Sequence, residues 1–188
     1  MWKFAVAGAV AVVAVVLAVP SPSRAEDPFK PPAPQKEHEW LKQFAGEWES
    51  VAEMVMEPGK PPVKSKGTES AKLLGGFWLI SEMKSECLGV PVTGQMTVGY
   101  DAQKKKYVGT WVCSMCDWLC KYEGSVDASG KILTLECEGP SPTTPGKVVK
   151  MKDVLELKDK DTRELKSYTQ GDDGKWTQFM SMTSKRKK

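Results

Sequence analysis

Three cysteines lie within eight residues of one another in the segment Trp111-Val-Cys-Ser-Met-Cys-Asp-Trp-Leu-Cys120, and Cys87 and Cys137 complete a set of five. Thiols at this spacing permit three kinds of chemistry, which are disulfide bonding, coordination of a soft metal ion and thiol–disulfide exchange. The choice between them depends on the compartment of the protein and on the elements that position the sulfurs.

The N-terminal residues 1–25 have the pattern of a secretory signal peptide. Lys3 precedes the uncharged apolar run 4–19, and Ser23-Arg24-Ala25 fits a small-x-small cleavage site. The apolar run is shorter than the roughly 20 residues that a membrane-spanning helix needs, although a retained anchor is the alternative. The pattern predicts export to the periplasm or the extracellular space, where disulfides persist, and no stable membrane insertion after cleavage.

The rest of the chain is nearly neutral and forms one domain. The full chain has 27 basic and 24 acidic residues, and loss of Lys3 and Arg24 leaves 27 − 2 = 25 against 24. This balance argues against nucleic acid as a partner. We interpret residues 26–37 as a Pro-rich linker, 38–186 as the domain and 187–188 as the end of a basic tail.

The domain has the pattern of an all-β protein with a short N-terminal helix. Apolar positions at helical spacing predict a helix over residues 38–45. After it the apolar residues alternate, and turn sequences recur at short intervals, as in a sandwich or barrel. Strands over 94–100 and 105–113, joined by a tight turn, would place Tyr100 opposite Tyr107 and keep their apolar faces together.

The next hairpin leads to a specific disulfide prediction. If the turn sets Val126 opposite Lys131, then Cys120 on strand 118–126 lies opposite Cys137. Directly opposed residues on antiparallel strands are within disulfide range, so we predict a Cys120–Cys137 disulfide.

In an up-and-down meander the turns near 88–91 and 113–118 and the loop 139–146 share one end of the sheet. All five cysteines are therefore predicted to gather at one rim. A rim site that binds zinc or copper, or that exchanges disulfides, is the alternative to structural disulfides. The candidate metal ligands are Cys113, Cys116, Cys120 and Cys137.

An ordered set of motifs resembles one bacterial family. The motifs are Gly46-Glu-Trp48, Leu74-Gly-Gly-Phe-Trp-Leu79, Gly99-Tyr-Asp101, Lys106-Tyr-Val-Gly-Thr-Trp111, Asp127-Ala-Ser-Gly-Lys131 and Arg186. They resemble the domain of unknown function 1579 family, which is similar to calycin and lipocalin barrels. The resemblance implies an up-and-down antiparallel β-barrel of roughly eight to ten strands. It also suggests that Trp48 and Arg186 form a barrel-closing pair, whereas a solvated Arg186 is the alternative. It brings no established activity.

The sequence favours a binding protein over an enzyme. His38 is the sole histidine and is expected at the surface, so a catalytic triad has little support, and no cofactor motif is present. We predict an interior that binds a small apolar ligand; a filled barrel with a structural or interaction role in the envelope is a further alternative. The oligomeric state is not indicated. The predicted ligand-binding residues are Tyr100, Tyr107, Trp111, Trp118 and Tyr122.

Overall fold

The computed structural model describes residues 32–57, 59–142 and 144–188. The predicted signal peptide, its cleavage site and most of the predicted linker lie outside these residues. A single compact unit spans Ala33–Lys188. Within the described part of the chain, no helix is long and apolar enough to cross a membrane.

The unit consists of two short helical elements followed by ten strands. The helix α1 (Lys36–Leu41) continues into a 3-10 helix (Lys42–Phe44). The strands are β1 (Gly46–Met54), β2 (Val63–Leu74), β3 (Trp78–Cys87), β4 (Val90–Asp101), β5 (Lys106–Cys113), β6 (Cys120–Val126), β7 (Ile132–Pro140), β8 (Val148–Leu157), β9 (Thr162–Gln170) and β10 (Trp176–Arg186). Because α1 begins at Lys36, the ordered domain starts inside the segment interpreted as a linker.

The ten strands form a closed up-and-down barrel. Each strand pairs antiparallel with its neighbours in sequence, and β10 pairs with β1 to close the sheet. The predicted all-β barrel with a short N-terminal helix is therefore confirmed. Closure satisfies the backbone groups of both edge strands, so the sheet has no open edge.

The two ends of the barrel differ. The end at which β1 starts adjoins the two helical elements, and we call it the plugged end. The opposite end, at which β3, β5 and β7 finish, we call the open end. The turns after those strands lie there, so the chain positions of the cysteines converge on the open end as the meander predicted.

Aromatic and aliphatic side chains fill the plugged end. Leu41, Phe44 and Trp48 have no exposed surface. The Trp48 indole donates to the Phe44 carbonyl oxygen at 2.9 Å, and the Trp40 indole donates to that of Gly130 at 2.7 Å. Packing of the short helix, rather than its intrinsic propensity, holds it in place.

His38 is part of this plug and is not a surface residue, so the surface prediction was wrong. Its Nδ1 accepts a hydrogen bond from the Gln35 backbone N–H at 2.9 Å, and its Nε2 lies 3.1 Å from the Tyr100 carbonyl oxygen. The ring also packs edge-on against Phe77 and Tyr100. Both ring nitrogens are engaged by backbone groups, which gives His38 a structural role.

One predicted register is right and one is wrong by two residues. Tyr100 pairs with Tyr107 as expected. In the next hairpin Val126 pairs with Leu133 rather than with Lys131. The loop is longer because the Asp127 carboxylate accepts hydrogen bonds from the backbone N–H groups of Lys131 and Ile132, at 3.2 and 3.0 Å. A shift of two residues leaves every side chain on its predicted face.

Candidate functional site: the barrel interior and its open end

The inward face of the barrel is buried at one end and accessible at the other. At the plugged end Leu79 and Leu133 are 3% and 2% exposed. Towards the open end, residues that the pairing registers also turn inward remain half-buried. They include Met54, Val63, Met83, Met96, Trp111, Met151, Leu155, Leu165, Met180 and Met182. Since these side chains face away from the outer surface, their exposure indicates that solvent enters the interior through the open end.

Methionine dominates this accessible part of the interior. The chain has nine methionines, and six occupy inward positions on five different strands. They are Met54, Met83, Met96, Met151, Met180 and Met182. Thioether side chains are unbranched and polarisable, so they line this space with adaptable apolar surface.

A lateral cleft opens between β6 and β7 at the same end. The ladder between these strands stops at the pair Glu123–Glu136, so the first residues of β6 and the last residues of β7 are unpaired. The cleft has a volume of about 450 Å³, and its lining joins inward-facing Cys137 and Met151 to outward-facing Lys121. It therefore reaches from the outer surface to the inner face of the sheet.

Trp118 lies at the edge of this cleft. It precedes β6, in the loop after β5, and is 41% exposed. Its indole donates to the Glu138 carbonyl oxygen at 3.0 Å, which fixes the ring against the end of β7. The expectation that Trp118 belongs to a strand and faces the interior was wrong.

The cysteines form two close pairs at the open end, and the structure holds all five as free thiols. The sulfur atoms of Cys120 and Cys137 are 2.6 Å apart and buried, although the two residues are diagonal rather than directly opposed. The Sγ atoms of Cys113 and Cys116 are 3.6 Å apart at the exposed loop. The disulfide between Cys120 and Cys137 stays a prediction, and this proximity favours it.

The rim geometry gives little support to the two other thiol chemistries. Within residues 32–57, 59–142 and 144–188, no three His, Cys, Asp or Glu side chains are grouped as metal ligands. Burial raises the pKa of the Cys113 thiol, so this cysteine lacks the thiolate character that exchange chemistry requires. Cys113 lies at the end of a strand and not at a helix N-terminus, where the dipole would lower its pKa.

A polar cluster stands among the apolar inward side chains, centred on Asp153 of β8. The Tyr122 hydroxyl donates to Asp153 Oδ2 and the Ser167 hydroxyl to Oδ1, both at 2.5 Å. Burial raises the pKa of Asp153, and the two hydroxyl donors oppose that shift. Asp153 is paired in the sheet with Leu135 and Ser167, one inward position deeper than Met151.

Two arginines stack on Trp48 at the plugged end. The Arg186 guanidinium carbon lies 4.1 Å from the centroid of the Trp48 ring, and that of Arg163 lies 4.2 Å from it. Arg163 is also ion-paired with buried Glu69 at 2.5 Å. Arg186 donates to the carbonyl oxygens of Ala45 and Gln43 at 2.6 and 2.9 Å. This is the geometry expected of the barrel-closing pair.

The spacing of Gly46 and Trp48 follows from this arrangement. Gly46 has φ +124°, and a Cβ atom on it would collide with the Arg186 guanidinium. A residue without a side chain is therefore needed where the closing arginine crosses the start of β1.

The structure divides the predicted ligand-binding residues between the plug and the interior. Tyr107 is buried in the plug, and its hydroxyl donates to the Glu37 carbonyl oxygen at 3.1 Å. Tyr100 packs on Tyr107 with ring centroids 5.3 Å apart. Trp111 and Tyr122 lie on the inner wall, and the hydroxyl of Tyr122 is bonded to Asp153. The idea that tyrosine hydroxyls are free to orient a ligand therefore does not hold for Tyr107 and Tyr122.

Asp153 is the residue of this site that sequence reasoning missed. Its segment alternates apolar residues at the inward positions Val149, Met151, Leu155 and Leu157, with Asp153 in the middle of the series. A charged residue at an inward position of an otherwise apolar series is the signal that would have found it.

The fold and the site together define a class of protein, the closed up-and-down antiparallel barrel with one plugged and one open end. Residues 33–186 match the model of the family described as "Protein of unknown function (DUF1579)". The chain belongs to that family, which confirms the resemblance inferred from the motifs. No curated protein matches the sequence.

Solved structures with a similar shape are also barrels. The crystal structure of Rv2717c from M. tuberculosis has a TM-score of 0.60 and 11% sequence identity, covering 82% of this chain and 99% of that chain. A redesigned β-barrel, b11L5F_LGL, has a TM-score of 0.40 and 13% identity, covering 79% of this chain and 95% of that chain. At its low identity, the similarity to Rv2717c shows the fold alone.

Proposed function

We propose that this protein is an exported, non-catalytic barrel that binds a small apolar ligand in its interior. The observation that carries the proposal is the contrast between inward side chains at the two ends of the barrel. Leu133 is closed to solvent near the plug, whereas Met180 and Met182 are accessible although they also face inward.

The size and chemistry of the accessible space support this proposal. Ligand sites are largely apolar, have a few fixed polar groups and occupy roughly 300–1,000 Å³. The cleft between β6 and β7, at about 450 Å³, falls in this range and leads towards Met151 and the interior. Burial of apolar ligand surface would contribute roughly 25 cal/mol per Å². Export is proposed from the pattern of residues 1–25.

The neutral solvatochromic dye Nile red tests the proposal when titrated into the purified domain. We expect saturable, blue-shifted emission from the wild-type protein. Met182→Trp adds bulk to the inner wall, so it should weaken dye binding by about fivefold or more. Thr183→Trp is the matched control, since Thr183 is the next residue of β10 and faces outward.

Circular dichroism of both variants establishes that each has kept the fold. Nile red emission that does not saturate with the wild-type protein would refute an open interior. Equal binding by the two tryptophan variants would place the dye on the outer surface and would also contradict the proposal.

A further inference from the structure

The inward face of the barrel carries one carboxylate that no basic side chain neutralises. The registers turn four charged side chains of the ten strands inward, and these are Glu69, Asp153, Arg163 and Arg186. Arg163 is ion-paired with Glu69, and Arg186 is bonded to backbone carbonyl oxygens at the plugged end. Within the described residues, Asp153 has no ion pair.

Hydroxyl groups orient the Asp153 carboxylate but do not supply a positive charge. Tyr122 and Ser167 each donate one hydrogen bond, at 2.5 Å, to a different carboxylate oxygen. A carboxylate has about four lone-pair sites, so acceptor capacity remains on each oxygen. Asp153 is half-buried, and because it faces inward its exposed surface belongs to the interior.

The surroundings of Asp153 make a positive partner favourable. Its inward neighbours on β8 are Met151 and Leu155, and its sheet partner on β7 is Leu135. A charge in such apolar surroundings costs free energy unless an opposite charge and hydrogen bonds compensate it. An ammonium group provides both, because it is cationic and carries only hydrogen-bond donors.

We infer that the interior binds ligands that join an ammonium group to an apolar body, with Asp153 receiving the ammonium group. The apolar body packs on the methionine side chains of the inner wall. This inference rests on the proposed ligand-binding function and narrows it to one ligand class. A carboxylate at the same place on a ligand would be repelled by Asp153.

Displacement of Nile red by three probes of equal chain length tests this inference. The probes are octylammonium, octan-1-ol and octanoate, each used below the concentration at which it forms micelles. With the wild-type protein, octylammonium should displace the dye at a concentration about tenfold lower than octan-1-ol does, and octanoate should be the weakest. Asp153→Asn should remove the advantage of octylammonium and leave octan-1-ol unchanged.

Glu156→Gln provides the matched control, because Glu156 lies on the same strand and faces outward, 2.7 Å from Lys158. This variant should keep the preference for octylammonium. Equal displacement by octylammonium and octan-1-ol in the wild-type protein would overturn the inference and leave the proposed function standing. A preference that survives in Asp153→Asn would do the same.

If Nile red does not bind the wild-type protein, both the inference and the proposed function fail. The wild-type comparison decides the matter by itself if Asp153→Asn does not fold.

Discussion

The Asp153 carboxyl group is held in a protein environment that favours its protonated form, because burial raises its pKa above the ordinary value of 3.8. The folded chain therefore binds this proton more tightly than the unfolded chain does. The resulting stabilisation is complete below about pH 3.8 and is lost as the pH rises through the raised pKa.

Asp153→Asn, which cannot titrate, makes this effect measurable. We expect the free energy of unfolding of the wild-type protein to fall relative to that of the variant as the pH rises from acid to neutral. Urea denaturation at several pH values measures the difference. Curves that stay parallel, or that diverge in the opposite direction, would contradict the environment assigned to Asp153.

Asp127 provides a comparison of opposite sign. Its pKa is lowered, chiefly by the Ser129 hydroxyl, so its contribution to stability is present above about pH 3.8 and is lost as the pH falls. The wild-type protein should therefore gain stability relative to Asp127→Asn as the pH rises.

At the scale of elements, the unpaired ends of β6 and β7 are held together by side chains. Cys120 and Cys137 meet across the gap that the ladder leaves, and they are 17 residues apart in the chain. Oxidation of the two thiols by a disulfide-bearing oxidant would join the sulfurs, pass two electrons and two protons to that oxidant and close this loop. A cross-link of this length stabilises a fold by about 3 kcal/mol.

We therefore expect a peptide map of the exported protein, made without reduction, to contain Cys120 linked to Cys137. The double variant Cys120→Ala, Cys137→Ala should lose about 3 kcal/mol of the free energy of unfolding. A reductant should lower the wild-type protein towards the same value. Cys87→Ala is the control and should leave the reductant effect intact. Alkylation of Cys120 or Cys137 without prior reduction would disprove the linkage.

The elements also show how far the sequence determines the structure. Alternating apolar residues and regular turns were sufficient to predict the barrel, and the register of β4 with β5 was right. The register of β6 with β7 was wrong because the length of its turn depends on hydrogen bonds of the Asp127 carboxylate, which periodicity does not reveal. Burial of His38 depends on how the helix docks on Phe77 and Tyr100, which only the tertiary structure determines.

For the whole molecule, the last strand secures both the closure of the sheet and the plug. Arg186 of β10 pairs with Trp48 of β1 in the sheet, stacks on its ring and donates to carbonyl oxygens at the end of the 3-10 helix. One side chain near the C-terminal end of the domain therefore joins β10, β1 and the helical plug.

Arg186→Ala should lower the free energy of unfolding by about 2–3 kcal/mol, because it removes charged hydrogen bonds and a cation–π contact. Arg186→Lys keeps the charge but not the planar donor fork, so its loss should be intermediate. Lys187→Ala, which removes an exposed ion pair at 3.6 Å, should change stability by less than about 0.5 kcal/mol. Equal stabilities of Arg186→Ala and Lys187→Ala would refute this role.

The six inward methionines have a consequence for selectivity. Three rotatable bonds allow each thioether to follow the outline of whatever lies beside it, so a cavity of this kind imposes little shape discrimination. Recognition then depends on fixed polar points, and Asp153 is an inward polar residue that two hydroxyl groups hold in place. Molecules of unlike contour but common polarity would thus be accepted together, which describes a receptor for a chemical type and not for a single compound.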